Sequence, residues 1–101
     1  MMTMTYHARV ERQARIQYIM ENIGIGETVA TKEKPREGKK ELLTDTGIIL
    51  VTNTAETILI TMFIASIDKA YALYINDKKE PLPRDLRNTI VHNRYYLENQ
   101  P

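Results

Sequence analysis

The chain reads as an α+β domain: an N-terminal helix packed on an antiparallel β-meander of three to four strands, followed by two C-terminal helices. Three observations predict this. An apolar stripe at helical period occupies residues 7–23. A block rich in β-branched residues follows between 42 and 65. Two further amphipathic segments, divided by prolines, close the chain. Helix, then strands, then helices is a segregated order, which favours an antiparallel sheet with helices laid against it. At 101 residues the chain is expected to form one domain, 1–101.

The first helix is predicted over 7–23. Ile16, Ile19, Met20 and Ile23 share one face at 3.6-residue spacing. Gly24 follows as a natural C-cap. Continued backwards, the same face meets Arg12 and Arg9, so the helix either overhangs its core or lines a cleft with arginines. Thr28–Thr31 is a short candidate strand. "KEKPREGKK", Lys32 to Lys40, reads as a loop or a mobile hairpin broken by Pro35 and Gly38.

The strongest strand signals are "GIILVTN" and "TILITMFIA", with Thr54, Ala55 and Glu56 near the turn between them. Neither alternates cleanly. Ile48 to Val51 is apolar without a break, which predicts a central pair covered on both faces. "TDTG", Thr44 to Gly47, is expected to turn the chain between a Leu42–Leu43 strand and the Ile48–Val51 strand. Ser66 suits an N-cap for a second helix, with Ile67, Ala70, Tyr71 and Tyr74 as its stripe. Pro83 suits the first turn of a third, with Leu86, Ile90, Val91 and Leu97 inward.

Composition narrows function by exclusion. There is no cysteine, so disulfides, thiolate nucleophiles and cysteine metal sites are absent, which fits a cytoplasmic location. The N-terminus has no apolar core of a signal peptide, and no apolar run approaches the roughly 20 residues of a membrane span. Net charge is +1, but residues 1–40 carry eight Lys/Arg against five Asp/Glu, and residues 41–101 carry six against eight. The first part stands at +3 and the remainder at −2, which points weakly to an anionic partner for the first. His7 and His92 are the only imidazoles, and neither has the close Cys, His or carboxylate neighbours of a metal site. "GIG" at 24–26 follows a helix and does not open one, so it lacks the geometry of a phosphate loop. No cofactor and no metal is implied.

"LLTDTGIIL" also resembles the catalytic loop of aspartic proteases, whose retroviral members are homodimers of chains about this long. That chemistry needs two carboxylates sharing a proton. The chain is too rich in helix for the family. Its last glycine is Gly47, so no later glycine motif supports the loop, and Ile48 stands where the family has a small residue. Asp45 is read as a turn residue.

Two stretches suit nucleic acid. Lys32, Lys34, Arg36, Lys39 and Lys40 lie in the "KEKPREGKK" segment and are the candidate phosphate contacts. "HNRYYLENQ" sets Arg94 beside Tyr95 and Tyr96, which can stack bases or pack a helix against the body or a second subunit. Residues 4–66, with His7, Arg12 and Arg15 in the opening helix and Ile60-Thr61-Met62-Phe63 in a late strand, resemble small bacterial and phage-borne proteins related to barnase-like and ribosome-dependent RNase toxins. A departure is Glu11, where an arginine commonly follows the histidine by four residues. The resemblance implies a metal-independent ribonuclease, with His7 in acid–base chemistry on the 2′-OH and Arg12 or Arg9 stabilising the phosphorane charge. The expectation is thus a toxin-like RNA-binding or RNA-cleaving module. The alternative is a non-catalytic oligomeric or partner-binding protein of phage or mobile-element origin, its strands pairing edge to edge or its C-terminal helices forming a homodimer.

Overall fold

The computed structural model describes residues 3–4 and 13–98. His7, Arg9, Arg12 and the expected first half of the opening helix lie outside the described residues, as does the side chain of Leu97. The elements in chain order are β1 (Thr3–Met4), α1 (Gln13–Asn22), β2 (Thr28–Lys34), a 3₁₀ turn (Pro35–Glu37), β3 (Lys39–Thr44), β4 (Ile48–Asn53), β5 (Ile58–Ile64), α2 (Ile67–Lys78) and α3 (Arg84–Glu98). The fold is α+β: a helix, a four-stranded antiparallel meander, then two helices.

The sheet order is β1-β5-β4-β3-β2. β2 to β5 form the meander, and β1 adds a short parallel strand beside Ile58 and Leu59. The sheet is covered on both faces, which explains why its central strands do not alternate. Residues Leu42, Ile48, Leu50, Leu59, Met62 and Ile64 point to α1, where Ile16 and Ile19 meet them. Residues Ala30, Leu43, Ile49 and Phe63 point the other way, toward Ala70 and Leu73 of α2 and Leu86 and Ile90 of α3. β5 also carries a bulge. Val51 pairs with Thr61 but Thr52 pairs with Leu59, so Ile60 is the extra residue. The bulge lets Leu59 and Met62 share one face although they are three apart.

The helical stripes differ from expectation at their margins. In α2, Leu73 is buried where Tyr71 was expected, and Tyr71 is exposed. In α1 and α3, Met20 and Val91 are exposed, and each stripe narrows to its central isoleucines and Leu86. A helix laid on a twisted sheet buries a narrow strip, and residues 100° from its centre reach solvent. Ser66 caps α2 as expected, its hydroxyl accepting from Lys69 N–H at 3.1 Å. The basic segment is a hairpin rather than a loop: β2 runs three residues past Thr31, and the 3₁₀ turn returns the chain into β3.

Of the Thr-rich strands, β4 lies inside the sheet, and β5 is flanked by β4 and, at Ile58 and Leu59, by β1. The outer strand on the far side is β2, and Asp77 of α2 takes the Thr31 N–H there at 3.0 Å. Together with Lys32 and Lys34, that contact blunts the edge against strand addition.

The "TDTG" turn does more than reverse the chain. Gly47 N–H closes the turn on Thr44 C=O at 3.0 Å. The Asp45 carboxylate accepts from Glu27 N–H at 3.0 Å, and Asp45 N–H donates to Glu27 C=O at 2.9 Å. The Thr46 hydroxyl reaches the carbonyls of Gly24 and Ile25, and the Thr46 carbonyl accepts from Asn93 Nδ2 of α3. Gly26 and Gly47 are required by close approach: a Cβ on Gly26 would run into the Asp45 carboxylate, and one on Gly47 would sit 2.7 Å from Ile90 Cγ1. One turn thus ties α1, β2 and α3 together at one end of the sheet.

Candidate nucleic-acid interface

The basic hairpin stands at the end of the sheet opposite the Thr44–Gly47 turn. Register assigns its side chains to faces, because directly paired residues and residues two apart point the same way. Lys32 pairs with Glu41 and Lys34 with Lys39. Lys32, Lys34, Lys39 and Glu41 therefore share the face on which α2 and α3 lie. Lys40 pairs with Thr52 and points to the opposite face, the α1 side.

The centre of this arrangement is Glu41, a carboxylate only 6% exposed. Lys69 reaches it from the first turn of α2 at 3.0 Å, and Lys34 approaches at 3.7 Å. A buried carboxylate is retained when cations compensate it. Here two lysines do so, and two more flank them. Four lysines (32, 34, 39 and 69) lie on the face of the sheet that holds this carboxylate, with Asp77 of α2 a second carboxylate at the β2 edge, a local balance of +2 from 4 − 2. Lys32 and Lys39 have no carboxylate within ion-pair distance among the described residues. Thr61 lies in the same cross-strand row, through Glu41–Val51 and Val51–Thr61, and its buried hydroxyl oxygen makes no hydrogen bond.

The candidate contacts inferred from sequence thus divide. Lys32, Lys34 and Lys39 converge. Arg36 sits exposed on the 3₁₀ turn at the tip. Lys40 is removed from the group: it faces the other way and binds Glu56 at 2.7 Å. That hydrogen bond with Glu56 raises the Lys40 ammonium above its ordinary value of 10.5, against a smaller opposing effect of desolvation, with the charges of Glu56 and Glu33 adding to the rise. Sequence reasoning missed Lys69. It is 28 residues downstream of Glu41 in an unremarkable amphipathic helix, and only the packing of α2 on the sheet brings it there. His7 and Arg12, the catalytic pair that the RNase resemblance implies, lie outside the described residues. Arg15, the third residue of that motif, is on α1 beside Phe63, Ile64 and Arg94. Those residues belong to the Thr46 end of the sheet, roughly 20 Å from the hairpin tip along the six residues of β3.

Among the described residues no group of His, Asp and Glu is placed to hold a metal ion, and no helix is long and apolar enough to cross a membrane. No family model, curated protein or solved structure matches the chain. The functional reading therefore rests on geometry and charge.

Proposed function

We propose that the protein binds RNA through its lysine-bearing hairpin. The observation that carries this is the convergence of Lys32, Lys34, Lys39 and Lys69 around the single buried carboxylate of Glu41. Coulomb attraction to a phosphate backbone needs clustered cations with few internal partners, and this face supplies them. The sequence resemblance of residues 4–66 to RNase toxins supports RNA as the polyanion. Cleavage, if the protein carries it, falls to His7 and Arg12.

The test is fluorescence anisotropy with a single-stranded RNA oligonucleotide across a salt series. Four phosphate contacts give a log–log salt slope of about −3. Replacing Lys32, Lys34, Lys39 and Lys69 together by Gln should bring the slope near zero while the protein stays folded by circular dichroism. An unchanged slope in that folded variant rejects the interface. Gel analysis of the same RNA separates binding from cleavage, and loss of cleavage in His7→Ala or Arg12→Ala would identify the catalytic pair.

A second reading has its own observation. Tyr71 and Ile75 on α2, and Val91 and Tyr95 on α3, are each 40–65% exposed and four residues apart on their helices. They support a homo-oligomer formed through the C-terminal helices. Light scattering at micromolar concentration tests it, and a monomeric mass rejects it.

A further inference from the structure

We infer that the groove between α1 and α3 is a binding site for a purine 5′-nucleotide, separate from the lysine face. The groove holds about 520 Å³ and is lined, among the described residues, by Tyr18, Asn22 and Ile23 from the α1 side and His92, Asn93 and Tyr96 from α3. Its size is within the range of small-ligand pockets. A second depression of about 240 Å³ is lined by Arg15, Phe63, Ile64 and Arg94. Arg15, Tyr18 and Asn22 are spaced i, i+3 and i+7, so one face of α1 forms a wall of both hollows. The rise per residue separates Arg15 from Asn22 by about 10 Å.

The chemistry of the walls is specific. Asn22 Nδ2 donates to Tyr18 C=O at 3.0 Å, and Asn93 Nδ2 donates to Thr46 C=O at 2.9 Å. A carbonyl accepts only from a donor, so both amides are oriented with nitrogen toward the protein frame. Each Oδ1 is the atom left for a ligand, and each accepts. Two acceptors on opposite walls select a ligand with more than one N–H donor. His92 and Tyr96 form a tilted ring pair at 5.4 Å, and Tyr18 stands across from them, so the groove also offers aromatic surface for a flat ring. A base with an exocyclic amine meets the first demand: adenine and cytosine each offer two amine protons, guanine adds a ring N–H, and uracil offers one donor. Of these, the purines present the larger ring face to Tyr18, His92 and Tyr96 and meet the second demand best. Arg15 at the neighbouring hollow, which Arg94 lines with its guanidinium donated to the Ile64 and Ala65 carbonyls, is the cation assigned to a 5′-phosphate extending from the ring.

The experiment is a titration of the full chain by isothermal calorimetry with AMP, GMP, CMP, UMP and adenosine. We expect AMP or GMP to bind at least tenfold more tightly than CMP or UMP, and the nucleotide at least tenfold more tightly than adenosine; CMP binding as tightly as AMP overturns the purine assignment. Arg15→Gln should bring AMP to the affinity of adenosine, and His92→Leu should weaken both tenfold. The quadruple lysine-to-glutamine variant of the hairpin should bind the purine nucleotide unchanged, so failure of the RNA interface and failure of this site are distinguishable. Equal binding of UMP and AMP, binding unaffected by Arg15→Gln and His92→Leu, or the absence of saturable heat at millimolar nucleotide overturns the assignment. Unchanged melting temperatures in these two variants establish that any loss is local.

Discussion

Thr46→Val is the substitution that isolates the clamp at the Thr44–Gly47 turn. Ile48 N–H donates to Thr44 Oγ1 at 3.2 Å, which leaves the Thr44 proton for Thr46 Oγ1 at 3.0 Å. The Thr46 proton is then shared between the carbonyls of Gly24 at 2.9 Å and Ile25 at 2.8 Å. Valine keeps the shape and removes the hydroxyl. One accepted bond and one shared donated bond disappear, at about 1 kcal/mol each, and the carbonyls of Gly24 and Ile25 and the Thr44 proton lose this partner. The sum is about 2–3 kcal/mol, out of a total stability of roughly 5–15 kcal/mol for a domain of this kind. Urea unfolding should show a lower midpoint with an unchanged slope, because the surface exposed on unfolding is the same. In a thermal scan the loss is about 10–20 °C. Thr54→Val, at an exposed turn position, is the matched control and should lie within about 0.5 kcal/mol of the parent. If Thr46→Val also lies within that margin, the hydroxyl chain does not fasten the turn.

Other consequences are as direct. Asp45→Asn keeps an oxygen acceptor for Glu27 N–H and should cost at most about 1 kcal/mol, whereas Asp45→Ala removes the acceptor and should cost more in the same urea assay. Gly47→Ala combines a φ of +82° with a methyl 2.7 Å from Ile90 Cγ1, while Gly38→Ala, at φ +64°, meets open space; calorimetric melting should show the first losing more than the second, whose strain alone is roughly 1 kcal/mol. The Lys40 ammonium is held above 10.5 by Glu56, so its stabilising contribution is complete below pH 10.5 and lost as pH rises through the higher folded value. A melting series from pH 9 to 12 should show a decline in the parent that Glu56→Gln reduces. Glu41→Gln releases Lys34 and Lys69 from their carboxylate, and RNA affinity should rise while thermal stability falls; a fall in both would mean that Glu41 positions the lysines for RNA.

Much of this architecture was legible because it follows from local rules. β-branched runs marked β4 and β5, their lack of alternation announced a sheet covered on both faces, and Ser66 and Pro83 marked where two helices begin. The errors share one cause. Tyr71, Met20 and Val91 satisfy helical periodicity, but burial depends on the width of the surface a helix meets, and that surface is made by strands elsewhere in the chain. The hairpin was underestimated for a related reason. Lys32–Lys34 lacks apolar strand character, yet pairing with Leu42-containing β3 holds it as strand. Five basic residues in nine positions also looked like one patch, and strand pleating assigned Lys40 to the other face.

By itself the sequence determined the α+β class, the order of elements and the role of "TDTG" as a turn, because capping, β-branching and turn chemistry act over a few residues. Only the tertiary structure decided that this turn is bonded to residues 18 to 22 positions earlier and to Asn93 of α3. It alone brought Lys69 to Glu41, and it alone set Asn22 and Asn93 on opposite walls of one groove. These are encounters between residues far apart in the chain. They are fixed by sheet register, by irregularities such as the bulge at Ile60 and by which helix covers which face, and none of these can be summed from local preferences.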